Sequence, residues 1–359
     1  MITNCHVHTF TSAHTPDRFL PWPVNVLVRF KFVRTLLSWA AQVFDRQRTS
    51  RLGRYAEIID TSYGKTQDYI FGIVRDYYPP GTRFVVLPMD MTQMNAGSVE
   101  ESIDVQHEKL AALRDANSEI IVPFAAVDPR HPDIVPKTIE LLEHRGFRGI
   151  KLYPPTGYHP FDTRLHPLYA YANEHGIPVL THCSAPADVK YRGDPTPDML
   201  RDPENNDAPL TYGTDKLLRY FTRPDAYLPL LKAYPKIRLC LAHFGGAGYW
   251  GSFLEHQGAK PDVENWLIRI RQLVQDDDYP NLWTDIAYTV FVDDEYVYLL
   301  KLLLNDDKIR ARVLFGSDFY VVRNADLEER RRSVRIRAVL GEDVWRTIAE
   351  DNPREFLGF

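Results

Sequence analysis

Two imidazoles stand two residues apart near the start of the chain, in Asn4-Cys5-His6-Val7-His8. Side chains two apart on an extended strand project to the same side. His6 and His8 can therefore offer two nitrogens to one cation, the plain alternative being a pair satisfied by core hydrogen bonds. Three further candidates close other apolar runs: His182 in Pro178-Val-Leu-Thr-His182, His243 in Leu239-Cys-Leu-Ala-His243-Phe-Gly-Gly246, and Asp318 in Val313-Leu-Phe-Gly-Ser-Asp318. Imidazole nitrogens joined by a carboxylate, without clustered thiolates, describe an open catalytic divalent-metal site rather than a closed structural one. Lys151 ends another run, Gly149-Ile-Lys151-Leu. It can be carbamylated and bridge two metals, stay an ammonium that binds an anionic substrate group, or pair with a neighbouring carboxylate.

Residues this far apart can act together only if the fold gathers them. Eight short β-branched runs recur along the chain: Ile2 to His8, Phe84 to Met89, Ile120 to Val127, Gly149 to Tyr153, Pro178 to His182, Ile237 to His243, Leu282 to Ile286 and Val313 to Ser317. Apolar residues at helical spacing follow most of them, as in Val99 to Arg114, Ile134 to Arg145, Leu168 to His175, Val263 to Gln275, Tyr296 to Leu304 and Asp326 to Leu340. Strand-then-helix alternation of this length predicts an α/β fold, a (β/α)8 TIM barrel in one domain over residues 1–359. Pro123 weakens the third strand, because proline lacks a ladder donor. In such a barrel every strand end meets at one mouth, which brings His6, His8, Lys151, His182, His243 and Asp318 together. Two long stretches, residues 10–62 after the first strand and 184–224 after the fifth, are expected insertions over that mouth.

The order His-x-His, Gly-Ile-Lys-Leu, strand-five His, His-Phe-Gly-Gly and Gly-Ser-Asp resembles the amidohydrolase superfamily, in particular its amidohydrolase-2 branch of metal-dependent barrel hydrolases and decarboxylases. The resemblance runs over essentially the whole chain, to Asp351-Asn-Pro-Arg-Glu-Phe-Leu-Gly-Phe. It implies that His6, His8, His182 and Asp318 bind a divalent metal, usually zinc, and one ion rather than two. His243 would be a catalytic histidine or a ligand to a second metal. Decarboxylases of this branch often carry an acidic residue where His6 stands, so the sequence leans to a hydrolase of a lactone, amide or ester. A decarboxylase or hydratase on the same metal is the alternative, and a non-catalytic metal-binding barrel the reading from another class. A catalytic metal can bring the pKa of water from about 15.7 to about 7. With that acidity in place, Asp318 is expected to shuttle the water proton and His243 to stabilise the developing oxyanion.

The mouth loops hold Tyr153, Tyr249, Trp250, Tyr288, Tyr320, Arg192 and Arg323. Aromatic walls with a few arginines suit a small cyclic or aromatic carboxylate. The run Gly245-Gly246-Ala247-Gly248 is read as backbone passing close to metal or substrate, with phosphate binding the alternative.

Over 359 residues, 43 Lys+Arg against 48 Asp+Glu give a net charge of −5. With a pI near 6.2, nothing favours a nucleic-acid backbone. Three scattered cysteines exclude a disulfide framework and point to a reducing compartment, the cytoplasm. The apolar stretch Val24 to Phe44 is broken by Arg29, Lys31 and Arg34 and is too polar to cross a membrane. The expected partner is a small-molecule substrate, with a homodimer the default assembly.

Overall fold

A computed structural model of the chain describes residues 1–20, 61–185, 187, 189–205, 207–256, 264–319 and 329–359. Eight parallel strands follow one another around a single sheet: β1 Thr3–Val7, β2 Arg83–Val86, β3 Ile121–Val127, β4 Gly149–Leu152, β5 Val179–Thr181, β6 Leu239–Leu241, β7 Leu282–Asp285 and β8 Val313–Leu314. The chain beyond β8 returns to β1. Cys5 N–H donates to the Phe315 carbonyl at 2.8 Å, Asp318 N–H donates to the His6 carbonyl at 2.8 Å, and Val7 bridges Phe319. The sheet therefore curls into a nearly closed TIM barrel, as the alternation predicted.

Pleat periodicity explains what fills it. Lys151 of β4 registers with Leu180 of β5, Leu180 with Cys240 of β6, and Cys240 with Trp283 of β7, so these side chains share one inward layer. Below and around them Cys5, Val85, Val122, Phe124 and Leu314 pack with Phe356 and Leu357 of the C-terminal helix. Two residues further along each strand the same face presents His182 after Leu180 and Asp285 after Trp283. The apolar layer thus ends where the polar mouth begins. Pro123 does lie within β3. The ladder to β4 starts one residue later, at Phe124, and the Pro123 carbonyl accepts from Arg148 N–H at 2.8 Å, so only its absent donor is forfeited.

Helices Gln67–Arg75, Ile103–Ala116, Ile134–His144, His166–His175, Thr214–Thr222, Trp266–Gln275, Asp294–Leu303 and Glu329–Leu340 link the strands. Several ends differ from the spacing because caps decide them. Ser102 accepts from Val105 N–H and starts the second helix later than Val99, and Asp293 accepts from Glu295 N–H and starts its helix earlier than Tyr296. Residues 263 and 326–328, predicted to open two helices, lie outside the described residues, as do 21–60 of the first insertion and with them Val24 to Phe44. The second insertion forms a short antiparallel pair, Arg201–Asp202 with Ala208–Pro209, before Thr214–Thr222. Among the described residues no helix is long and apolar enough to cross a membrane.

Candidate functional site

A bulge in β1 between Asn4 and Val7 turns its end into the mouth. Asn4 secures this edge: its amide donates to Ser317 Oγ at 2.9 Å, and its Oδ1 accepts from Ser317 N–H at 3.1 Å. Gly316 is required beside it, since a Cβ there would lie 2.8 Å from the Cβ of His6. His6 and His8 consequently enter one pocket, as their spacing predicted.

Proton placement shows what the two rings can do. His8 Nδ1 lies 2.8 Å from the Leu87 carbonyl, which can only accept, so Nδ1 carries the proton and Nε2 keeps its lone pair. His6 Nδ1 lies 2.8 Å from Asp285 Oδ2, with the same consequence. The two Nε2 atoms then face Asp318 Oδ1 at 3.1 Å for His8 and 3.5 Å for His6. His6 Nε2 is buried without a hydrogen-bond partner, a costly condition unless something binds it. Three converging donors, two with their far nitrogens tied to acceptors, form the usual support of a metal-binding imidazole. The site fits a divalent cation on its own chemistry.

Asp285, at the end of β7, was not recognised in the sequence. It is fully buried, and its carboxylate accepts from His6 Nδ1, from His243 N–H at 2.7 Å and from Ala287 N–H at 3.1 Å. Although it stands near His6 and His243 in a possible metal cluster, those contacts occupy its oxygens, so it orients ligands rather than serving as one. The available signal was its position two residues beyond the inward Trp283.

His182 and His243 meet beside these residues, the His243 ring centroid 5.0 Å from that of His6 and His182 Nδ1 3.0 Å from His243 Nε2. His243 Nδ1 donates to the Ala287 carbonyl at 3.0 Å, so in the neutral pair the shared proton sits on His182 Nδ1. His182 Nε2 faces Ser184 Oγ at 3.1 Å. His182 thus lines the pocket without joining the His6, His8 and Asp318 cluster.

Backbone strain concentrates here. Outside glycine, His243, Phe244, Tyr288 and Asp318 have φ of 70°, 45°, 61° and 65°. Each such residue costs about 1–3 kcal/mol. The His243 N–H bond to Asp285 and the Asp318 N–H bond to the His6 carbonyl hold two of them in place.

Lys151 is buried inside the barrel, and its Nζ has no hydrogen-bond partner. Burial lowers its pKa to about 8 against the opposing pull of Asp285 and Asp318. Burial, reinforced by Lys151, holds His6 well below its ordinary value, and burial with His243 does the same to His182, so both rings are neutral, as metal binding requires. Burial pushes the Asp318 carboxyl up, but the adjacent His8 ring and the imidazoles of His6 and His243 outweigh it and bring it below its usual range. Burial dominates at Asp285 and raises it.

The pocket holds about 270 Å³ and is also lined by Phe10, Met89, Tyr153 and Tyr288. Other candidates fall elsewhere. Arg192 donates to the Arg18 carbonyl at 3.0 Å and lies over Phe19, because the loop carries it away from the barrel axis. Tyr249 stacks on Trp266 in an adjoining cavity. Trp250 is not a mouth residue: it is buried, donating to the Phe244 carbonyl at 2.9 Å. Tyr320 and Arg323 lie outside the described residues. The Gly245-Gly246 turn has φ of 89° and 97°, and a Cβ on Gly246 would meet the Cβ of Ser184 at 2.7 Å, so it serves close backbone approach. A second polar cluster, His159, Asp202 and Glu204, is no metal centre. His159 Nδ1 accepts from Phe161 N–H at 3.0 Å, so its proton is on the Nε2 that faces Glu204.

A family model described as Amidohydrolase matches residues 4–359. No curated protein sequence matches. Solved structures do match. 4-Oxalomesaconate hydratase from Rhodopseudomonas palustris is 16% identical with a TM-score of 0.51, over 100% of this chain and 96% of that one. A probable 2-pyrone-4,6-dicarboxylic acid hydrolase from Acinetobacter baumannii with citric acid bound is 11% identical with a TM-score of 0.55, over 100% and 99%. 5-Carboxyvanillate decarboxylase from Novosphingobium aromaticivorans, complexed with manganese and 4-hydroxy-3-methoxy-5-nitrobenzoic acid, is 14% identical with a TM-score of 0.55, over 100% and 96%. At these identities the likeness establishes the shared barrel fold.

Proposed function

The chain belongs to the amidohydrolase family, whose members are metal-dependent enzymes, and from that premise we propose that it hydrolyses a lactone, amide or ester of a small cyclic or aromatic carboxylate. The observation that carries this reading is the convergence of His6 Nε2, His8 Nε2 and Asp318 Oδ1 in a pocket open to solvent, with the imidazole protons committed to the far side. These three residues would hold one divalent cation, zinc by the chemistry of the donor set, and His182 lines the same pocket as a further donor. The cation would acidify water and polarise a carbonyl.

The chain's own groups supply the rest. Asp318, ionised at neutral pH by its lowered pKa, accepts the proton of the attacking water and returns it to the leaving group. His243, its Nδ1 held by the Ala287 carbonyl and its Nε2 meeting His182 Nδ1, stabilises charge on the carbonyl oxygen as the protonated ring, in which Nε2 becomes a donor. Lys151 offers a buried cation to a substrate carboxylate, and Tyr153 and Tyr288 form walls for a ring. In this reading the partner is a small-molecule substrate rather than nucleic acid or a membrane, the compartment expected from the scattered cysteines is the cytoplasm, and a homodimer is the default assembly. The Lys151 amine also favours a second reading, a decarboxylase or hydratase that holds a carboxylate at the reacting centre.

A panel of lactones, amides, esters and aromatic carboxylates, followed for acid release and for CO₂, tests the choice. Ring opening or ester cleavage without CO₂ is expected, and CO₂ release with no hydrolysis would overturn the hydrolase assignment in favour of the lyase.

A further inference from the structure

The reacting pocket does not stand alone. A second cavity of about 470 Å³ adjoins it, and Ser184, Ala185, Ala187 and Gly248 line both. All four residues are small, and they form the boundary that the two cavities share. A Cβ added at Gly248 would meet nothing within 4 Å, which shows open space at that point.

The second cavity has its own recognition chemistry. Tyr249 stacks on Trp266, ring centroids 5.1 Å apart and planes 21° apart. The Arg219 guanidinium, on helix Thr214–Thr222, lies 5.7 Å from the Tyr249 ring centroid and 5.8 Å from that of Trp266. The other cation of the cavity, Lys190, is already engaged by Asp215 at 2.6 Å. Arg219 faces Glu264 at 3.5 Å, but the Glu264 side chain is 82% exposed, and an ion pair so solvated is worth little. An incoming carboxylate can compete for the guanidinium, which matches a planar anion in a two-point contact.

We propose that this second cavity is a subsite for a planar, anionic arm, so that the substrate has two parts: a reacting group in the barrel mouth and an aromatic arm against Tyr249 whose carboxylate meets Arg219. The hydrolase reading identifies only the reacting end, and the subsite would serve a lyase equally. Specificity then depends on Arg219, which lies on helix Thr214–Thr222 and belongs to none of the strand-end motifs.

The test reads binding without turnover. Zinc-loaded protein is titrated with biphenyl-4-carboxylate and with its neutral carboxamide, using quenching of tryptophan fluorescence. Wild type should bind the acid about tenfold more tightly than the amide, the scale of one charge-assisted contact near a surface. Arg219→Gln should abolish that preference while keeping the amide affinity, which also reports that the variant is folded. Gly248→Leu, which fills the open space at the shared boundary, should weaken both ligands at unchanged zinc content. Equal affinities in wild type, or a preference that survives in Arg219→Gln, would overturn the subsite. Because no bond is broken, a negative result in the hydrolysis panel leaves these outcomes legible.

Discussion

Asp285 does more to define the site than its distance from the open pocket suggests, because one carboxylate sets both the His6 tautomer and the position of His243. Asp285→Asn keeps the shape but can present an amide N–H to His6 Nδ1. That would move the imidazole proton to Nε2, where it blocks a metal. Zinc affinity should fall about 10- to 100-fold, measured by competition with a chromophoric chelator; an unchanged affinity would mean that the contact does not set the tautomer. Lys151 makes a different prediction. Its pKa is lowered from 10.5 to about 8, so between those values the unfolded chain holds a proton that the folded chain has released. Stability of the metal-free protein therefore rises with pH across that window, by up to about 3 kcal/mol. Lys151→Met should flatten the rise in urea unfolding curves, and parallel pH profiles for the two proteins would show that the amine is not desolvated.

At the level of strands and loops, the inward and outward alternation accounts for much of what could be read in advance. His6, His8, His182, His243 and Asp318 all occupy strand ends, and runs of apolar residues marked those ends. Asp285 went unrecognised because it sits inside a predicted strand, where only the inward period from Trp283 distinguishes it. The separation of His182 from the His6, His8 and Asp318 cluster depends on ring orientation, and Arg192 was misassigned to the mouth because loop direction is set by packing on Phe19 and not by local sequence. Closure of the barrel offers a test at this level. Gly316→Ala would press a methyl group against His6, whose Cβ would be 2.8 Å away and whose backbone nitrogen 3.3 Å. A cost of about 1–3 kcal/mol and weaker zinc binding should appear together. Loss of stability with full zinc affinity would show that β1 yields without moving its histidine.

For the molecule as a whole, the parallel barrel converts residues separated by more than three hundred positions, from His6 to Asp318, into neighbours 3.5 Å apart. The family and fold follow from that arrangement, while the choice among hydrolysis, decarboxylation and hydration rests on which group occupies the pocket beside Lys151 and what the adjoining cavity admits. Everything chemical presupposes a cation between the first and last strands. Elemental analysis of zinc per chain, in wild type and in the His6→Ala/His8→Ala double variant, addresses it most directly. About one equivalent in wild type and none in the folded double variant is the expected result; a double variant that retains its zinc, or a wild type that takes up none, would contradict it.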